Sequence, residues 1–324
     1  MAGNIYHSWN GTVLTITSDS GTSSAELRGE DGCRGAQGIP GGTLYSVSQA
    51  ATNLLDNSYF INPINQRGFT SGDTVKGWSY FIDRWCNYTD TNGTVSFSNN
   101  GMTYNFSMYQ HLNPDTVKAG KVMTAAVKWA DGTIQVATGT ITRGNSWAWF
   151  HSGDNNGRLV GIIDDGSGRN SIRIDNDNGD TLVWAALYEG EYTTETLPAY
   201  QYKGYAAELL ECQRYYENSW FGSSKALMRE YVGMNVSSTL GDCVIEYRMP
   251  KRVAATVSFY PIGSETAWQI YNENHYREVD VAAQNRDGVN AFMVRYTKTE
   301  ADTSNWNSKE VVPIRGHWEA SADL

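Results

Sequence analysis

Short runs of alternating apolar and polar residues dominate the chain between residues 53 and 200. Each run is four to seven residues long and ends at a cluster of Gly, Asn and Asp, the residues that tight turns require. Strands of this length, separated by hairpin turns and without helical periodicity, predict an antiparallel β-sandwich of the jelly-roll type over residues 53–200. The clearest runs are residues 94–97, 123–129, 133–138 and 182–188.

The pattern changes at Lys203. Residues 205–216 are rich in good helix formers, and their apolar positions follow three-and-four spacing, so they predict one linking helix. The chain then alternates again, which makes residues 203–324 a helix followed by a C-terminal β domain. The strands predicted in that domain are residues 244–249, 253–259, 289–296 and 314–320.

The first 28 residues contain one β-type run, residues 12–17, which predicts a single strand. A segment this short cannot bury a core of its own. We therefore expect residues 1–28 to be an attachment segment that docks onto another protein or pairs between chains.

Glycine recurs at every third position in residues 29–42. Collagen requires this period, because only a hydrogen atom fits at the axis of three chains wound together. The segment therefore predicts a short neck that joins three copies of the chain, with a flexible Gly-rich linker as the alternative. The neck glycines are Gly29, Gly32, Gly35, Gly38 and Gly41.

Charge and composition exclude several function classes. The 324 residues include 25 Lys and Arg against 35 Asp and Glu, a net charge of −10, which disfavours nucleic acid because phosphate binding needs clustered cations. No apolar run reaches the ~18 residues of a membrane span, so no membrane insertion is expected. The N-terminus lacks a secretory signal, which predicts folding in a cytoplasm. The four cysteines lie far apart without a CxxC pair and are predicted to be free thiols.

Aromatic side chains are the best candidates for ligand binding, because sugar rings stack their C–H faces on flat apolar rings. Trp147 and Trp149 alternate with Phe150 in a predicted strand, so both lie on one face of it. If the Phe150 face belongs to the core, the two tryptophans face outward beside His151. The alternative is that the Trp face packs in the core, as large aromatic residues usually do.

Other aromatic residues form weaker candidates. Trp78, Tyr80 and Tyr88 make one group. In the C-terminal domain the candidates lie in turn-rich sequence, where exposed aromatics anchor a ligand at low entropic cost. For each of them, packing in the core is the alternative. The C-terminal candidates are Trp220, Trp268 and Trp306.

Metal binding and catalysis receive little support. Residues 164–168 and 175–180 offer oxygen ligands that suit calcium, but Asx-rich hairpin turns explain both stretches. The chain has no GxSxG, no HExxH and no Gly-rich phosphate loop followed by Lys. Carboxylate pairs such as Glu189 and Glu191 have nothing that marks them as a glycosidase pair. No cofactor and no enzymatic activity are therefore predicted.

Several segments, in this order, resemble those of bacteriophage and prophage tail-fibre or receptor-binding proteins. HSWNGTVLTITSDSGTSSAELRG, residues 7–29, is similar to their N-terminal segment before collagen-type repeats. NLLDNSYF at residues 53–60, NQRG at 65–68 and DRW at 83–85 are similar to the start of their sandwich domain, which is related in shape to carbohydrate-binding jelly rolls. ELLECQRYY at residues 208–216 and the ending GHWEA are similar to segments that follow that sandwich.

The resemblance implies a homotrimeric virion component, made in the host bacterial cytoplasm, that attaches the particle to a bacterial surface. Residues 1–28 would bind a tail or baseplate protein, and the two β domains would present the surface for an envelope glycan. Weak sugar contacts, multiplied over three chains, give avidity. The first alternative is a structural baseplate or connector protein without host contact. The second alternative is an envelope glycan hydrolase, and the third is a secreted carbohydrate-binding module.

Overall fold

The computed structural model divides the chain into two compact units, Met1–Gln49 and Ala50–Leu324. The protein is mostly β, as predicted. The neck glycines Gly29 to Gly41 lie outside the described residues. The described residues are 5–10, 13–26, 51–142, 147–154, 157–165, 169–221, 225, 227–284 and 288–323.

The first unit contains an antiparallel sheet of β1 (Tyr6–Asn10), β2 (Val13–Ser18) and β3 (Gly21–Glu26), in that order. The strand predicted at residues 12–17 corresponds to β2, which confirms that prediction, whereas the two flanking strands were not predicted. The outer strands lack apolar alternation and pair through the backbone and through hydroxyl groups, as where Thr15 Oγ1 lies 2.8 Å from Ser24 Oγ. Such pairing gives no hydrophobic signal in the sequence.

Residues 73–189 form two six-stranded antiparallel sheets that pack as a β-sandwich. Their strands are β4 (Asp73–Val75), β5 (Ser79–Ile82), β6 (Trp85–Asn87), β7 (Gly93–Ser98), β8 (Gly101–Tyr104), β9 (Ser107–His111), β10 (Val122–Trp129), β11 (Ile134–Thr140), β12 (Trp147–Gly153), β13 (Arg158–Asp165), β14 (Asn170–Asn176) and β15 (Thr181–Glu189). The first sheet has the order β11-β10-β15-β8-β7-β4 and the second β12-β13-β14-β9-β6-β5.

One hydrophobic core fills the space between the two sheets. Trp85 and Trp129 are fully buried in it, and Trp129 Nε1 donates a 2.9 Å hydrogen bond to Gln135 Oε1, which satisfies the buried indole. The sheets approach closely at Gly139, because a Cβ there would collide with the ring of Phe150. Phe150 of the second sheet therefore faces the first.

The linking helix α1 spans Tyr205–Gln213, three residues shorter than predicted at its C-terminal end. Its buried Glu208 accepts a 2.5 Å hydrogen bond from the backbone N–H of Asn57. The helix ends before the predicted residue Tyr216, because Tyr216 lies in a strand, β16 (Tyr216–Asn218). In the described ranges, no helix is long and apolar enough to cross a membrane.

The remaining strands form a three-stranded sheet and a closed barrel. They are β17 (Glu230–Asn235), β18 (Leu240–Glu246), β19 (Thr256–Tyr260), β20 (Trp268–Asn272), β21 (His275–Gln284), β22 (Ala291–Lys298), β23 (Val311–Arg315) and β24 (His317–Ser321). The sheet has the order β16-β24-β19, and the barrel closes as β17-β18-β22-β21-β20-β23.

The predicted strand at residues 314–320 is wrong as one element, because the chain divides at Gly316 into β23 of the barrel and β24 of the sheet. A Cβ at Gly316 would overlap the indole of Trp268. The glycine thus lets the backbone pass over that ring, and the apolar alternation on both sides hides the break from sequence reasoning.

A polar seam joins the sandwich to the C-terminal region. Arg67 forms an ion pair with Asp323, and its guanidinium lies 3.8 Å from the ring centre of Tyr216. Gln66 Nε2 donates to the Tyr216 carbonyl (2.8 Å), and Asn218 Nδ2 donates to the Gln66 carbonyl (2.6 Å). The NQRG segment therefore holds the strand that follows the helix.

The buried carboxyl of Asp83, near Arg67 of the seam, makes the free energy of unfolding depend on pH. Burial raises the pKa of its carboxyl to about 7, although Arg67 opposes the shift. Because the unfolded value is about 3.9, the folded protein holds an extra proton between about pH 4 and 7. The free energy of unfolding therefore falls as pH rises through this window, by ~1.4 kcal/mol per pH unit for one such carboxyl.

We expect Asp83→Asn to flatten this slope, measured by urea unfolding at several pH values between about 5 and 8. Part of the slope remains, because burial also raises the pKa of Glu208 to about 7. Asp115→Asn, at an exposed carboxylate, is the control and leaves the slope unchanged. Equal slopes for both variants would contradict the role of Asp83.

Three of the four cysteines, Cys86, Cys212 and Cys243, are buried and free, which confirms the prediction for them; Cys33 lies outside the described residues. Burial raises the pKa of the Cys86 and Cys243 thiols to about 12. These side chains therefore stay protonated and pack as small apolar groups.

Candidate functional site

An exposed tryptophan stands at the edge of the second sheet. Trp78 lies in the turn between β4 and β5, and 62% of its surface is accessible. Its backbone has a positive φ of 57°, which is uncommon for a large side chain. The backbone N–H of Trp78 donates to the Thr89 carbonyl (3.0 Å), and Gly77 before it has no room for a Cβ. The turn thus fixes an apolar ring in solvent.

Trp78 is the first member of a line of rings that crosses the sheet from this edge. The Tyr88 ring meets Trp78 edge-on, with 4.7 Å between centroids, and lies 4.5 Å from the Tyr109 ring. Tyr109 of β9 pairs with Arg173 of β14, whose guanidinium lies 5.6 Å from the Tyr109 ring centre. We call Trp78, Tyr88 and Tyr109 the aromatic row. Exposure falls along it, from the open Trp78 to the buried Tyr109.

Polar groups lie beside the inner end of the aromatic row. Arg173 bonds to Asp175 (2.6 Å) and to Ser107 Oγ (3.3 Å). Burial raises the pKa of Tyr109 to about 12, so its hydroxyl is protonated at physiological pH and is able to donate. His111 lies edge-on to Tyr88 at 5.6 Å. The arrangement combines a flat apolar surface with fixed donors, which is the usual composition of a small-ligand site.

Tyr80 was grouped with Trp78 from the sequence but has a different environment. It is half-buried, and the Arg67 guanidinium lies 4.9 Å from its ring centre. Burial raises the pKa of its hydroxyl. Tyr80 pairs with Cys86 in the sheet and packs toward the seam, so it supports the row rather than extending it.

Trp147 and Trp149 lie in edge strand β12, opposite Asp165 and Ile163 of β13. Phe150, the next residue along the strand, faces the first sheet. The side chains of both tryptophans lie outside the described part of the structure, so ligand binding by them stays a prediction.

The three C-terminal tryptophans are not brought together with the aromatic row. Trp268 is 2% exposed and stacks with Tyr231, and Trp306 is 5% exposed with its Nε1 bonded to Asp302 (2.9 Å). Both rings belong to the barrel core and are unavailable to a ligand, which corrects their selection as anchors. Half-buried Trp220 is covered by Lys225, whose Nζ lies 4.0 Å from its ring centre.

The second acidic stretch, residues 175–180, ends strand β14 and forms the turn before β15, whereas residues 164 and 165 of the first lie in β13. Asp180 accepts from Arg158 Nε (2.8 Å) and Asp175 from Arg173 Nε (2.6 Å). Asn176 closes the turn by bonding to the backbone of Asp180 in both directions. Residues 166–168 are outside the described residues. Within the part of the chain that the structure describes, no group of His, Cys, Asp or Glu could hold a metal ion.

A polar cavity of about 220 Å³ lies between the sandwich and helix α1. Four of its five charged side chains form two ion pairs: Arg84 Nε bonds to Asp56 (3.0 Å) and Lys203 Nζ to Glu211 (2.8 Å). Tyr215 covers the Arg84 guanidinium at 3.5 Å. Lys203 Nζ also donates to the Leu55 carbonyl (3.0 Å), which ties the start of the helix to the sandwich, so the cavity belongs to the framework.

Sequence reasoning found Trp78 and Tyr88 but missed Tyr109 and Arg173. Both come from other strands, and only the register Cys86–Tyr109–Arg173 brings them beside Tyr88. Comparison of the chain with family models, curated proteins and solved structures gave no match.

Proposed function

We propose that this chain is a tail-fibre or receptor-binding component of a bacteriophage virion, which attaches the particle to a bacterium by holding envelope glycans. The observation that carries the proposal is the exposed Trp78 at the open end of the aromatic row. This large apolar ring meets the Tyr88 ring edge-on and leaves most of its surface in solvent, where a flat sugar face would cover it.

The row suggests how a glycan would be held. One sugar ring stacks on Trp78 at the sheet edge, and the chain of sugars continues over Tyr88 toward Arg173. The Arg173 guanidinium and the Tyr88 hydroxyl then donate to sugar hydroxyl groups and fix orientation. Such a site is weak by itself, so adhesion depends on several copies acting together.

The rest of the chain fits this role as follows. Residues 1–28 attach to a tail or baseplate protein, and the Gly-x-y segment sets three chains in register. The function is binding without chemistry, and the partners are two further copies, the tail and the glycan. A homotrimer of weak sites supplies the avidity that adhesion requires.

The test is saturable binding of the purified, fluorescently labelled full chain to cells of a susceptible bacterium, with light scattering on the same sample. We expect saturable binding by a species of about 108 kDa, three times the 36.0 kDa chain. Assembly into trimers without binding to any susceptible host would favour the structural connector. Release of reducing sugar from purified envelope would instead favour a hydrolase.

A further inference from the structure

The outer surface of the barrel is aliphatic on one side. Strands β17, β18 and β23 alternate, and their inward positions are buried, apart from the half-buried Tyr231. The outward positions of a solvated strand are normally polar, but here Val232 is 75% exposed. We call the exposed side chains of this surface the aliphatic face. They are Val232, Met234, Val244, Val311 and Pro313.

The strand register makes this face continuous. Val232 lies opposite Pro313, and Met234 lies opposite Val311, on adjacent strands. Met234 also pairs with Asp242 of β18, and Val244 follows two residues further along that strand. The exposed apolar side chains therefore lie on three neighbouring strands, with the ion pair of Asp242 and Arg295 (2.9 Å) beside Met234. Contiguous exposed apolar surface of this kind marks an interface.

Elsewhere the barrel has ordinary polar outward positions. Strand β21, for example, exposes Glu278 and Asp280 on either side of the buried Val279. The aliphatic character is thus specific to one side of the barrel rather than a property of the whole domain.

Charge and shape favour a second copy of this chain as the occupant. Each copy carries a net charge of −10, which opposes self-association, so a contact between copies needs an apolar surface with opposite charges at its rim. In a three-fold ring, one flank of an interface meets the other flank on the next copy. The β23 flank ends in Arg315, and the β18 flank ends in the exposed Glu246, which gives complementary charges at the rim.

The β18 flank is also concave. A groove of about 510 Å³ opens beside Val244, and Tyr247 lines it with a buried hydroxyl that has no hydrogen-bond partner. On the β23 flank, the apolar side chains of Val311 and Pro313 are exposed. Exposed apolar side chains on one copy and a groove on the next are the two halves of a ring-closing contact.

We infer that the aliphatic face is the contact between copies of this chain, with the β23 flank of one copy seated against β18 and its groove on the next; the inference rests on the proposed trimer. It goes further by assigning the C-terminal barrel, in addition to the Gly-x-y segment, to assembly.

The test is thiol labelling of the full chain with a maleimide, using Val232→Cys and, as a second position, Val311→Cys. The matched control is Val253→Cys, a position only 40% exposed and outside the face, and the parent chain supplies the blank. In a free chain Val232→Cys would react faster than the control. If the face is buried between copies, the thiol of Val232→Cys reacts at least about 10-fold more slowly than that of the control.

Light scattering of each variant separates the two hypotheses. A trimer with slow labelling at both positions supports the contact. A trimer with labelling as fast as the control overturns the contact and leaves the proposed function intact. A monomer overturns both the trimer and the contact. Thermal unfolding of each variant verifies that the substituted chain is folded.

Discussion

Replacing Lys251 with methionine is expected to lower the free energy of unfolding by about 3–5 kcal/mol. Lys251 and Glu217 form a buried ion pair with 2.6 Å between Nζ and Oε2, and Nζ also donates to the carbonyl of Gln213 (2.5 Å). Methionine keeps the apolar stem but leaves the Glu217 carboxylate buried without its cation. Guanidinium unfolding of the parent chain and the variant measures the difference.

Two variants make this result specific. Arg248 approaches the same carboxylate at 3.7 Å but is 45% exposed, so Arg248→Met is expected to cost less than about 1 kcal/mol. Combining Lys251→Met with Glu217→Gln removes the unpaired charge and recovers part of the loss. If the Arg248 and Lys251 variants were equally destabilised, the buried pair would not be the cause.

Trp78→Ala is expected to abolish adhesion while the protein stays folded. Truncating an aromatic anchor costs about 2 kcal/mol, roughly 30-fold in single-site affinity. Over three sites that act together, the loss in avidity exceeds ~10³-fold. Because the Trp78 side chain is largely in solvent, its removal opens no core cavity. Cell-binding isotherms of the labelled full chain measure the effect.

Trp9→Ala is the matched control for this experiment. Trp9 is 58% exposed and lies in the first unit, so its truncation removes a comparable amount of solvated ring surface and leaves the side chains of the aromatic row unchanged. We expect its binding isotherm to overlay that of the parent chain. Equal losses for the two tryptophans would mean that nonspecific stickiness, and not the row, holds the cells.

The sequence predicted elements whose signal is local. The run at residues 182–188 becomes β15 (Thr181–Glu189) and the run at 123–129 becomes β10 (Val122–Trp129), because apolar alternation between turn residues is sufficient to define a strand. Breaks imposed by distant residues were missed. Gly316 divides β23 from β24 only because the Trp268 ring lies against it.

The site was predictable only in part for the same reason. Trp78 and Tyr88 lie close in sequence and were grouped correctly, but Tyr109 and Arg173 join them through pairing across β6, β9 and β14. Burial is equally non-local. Trp268 and Trp306 follow turn-rich sequence like any exposed aromatic, and the closure of the barrel around them decides their role.

Because the backbone at Trp78 is left-handed, selection for thermal stability at this position would work against adhesion. Glycine and asparagine adopt a φ of 57° more readily than tryptophan does, and relieving such strain is worth on the order of 1 kcal/mol. A library sorted only for survival at high temperature would therefore enrich glycine or asparagine at this position. The more thermostable variants would keep the sandwich but lack the side chain by which, in our proposal, the particle binds its host.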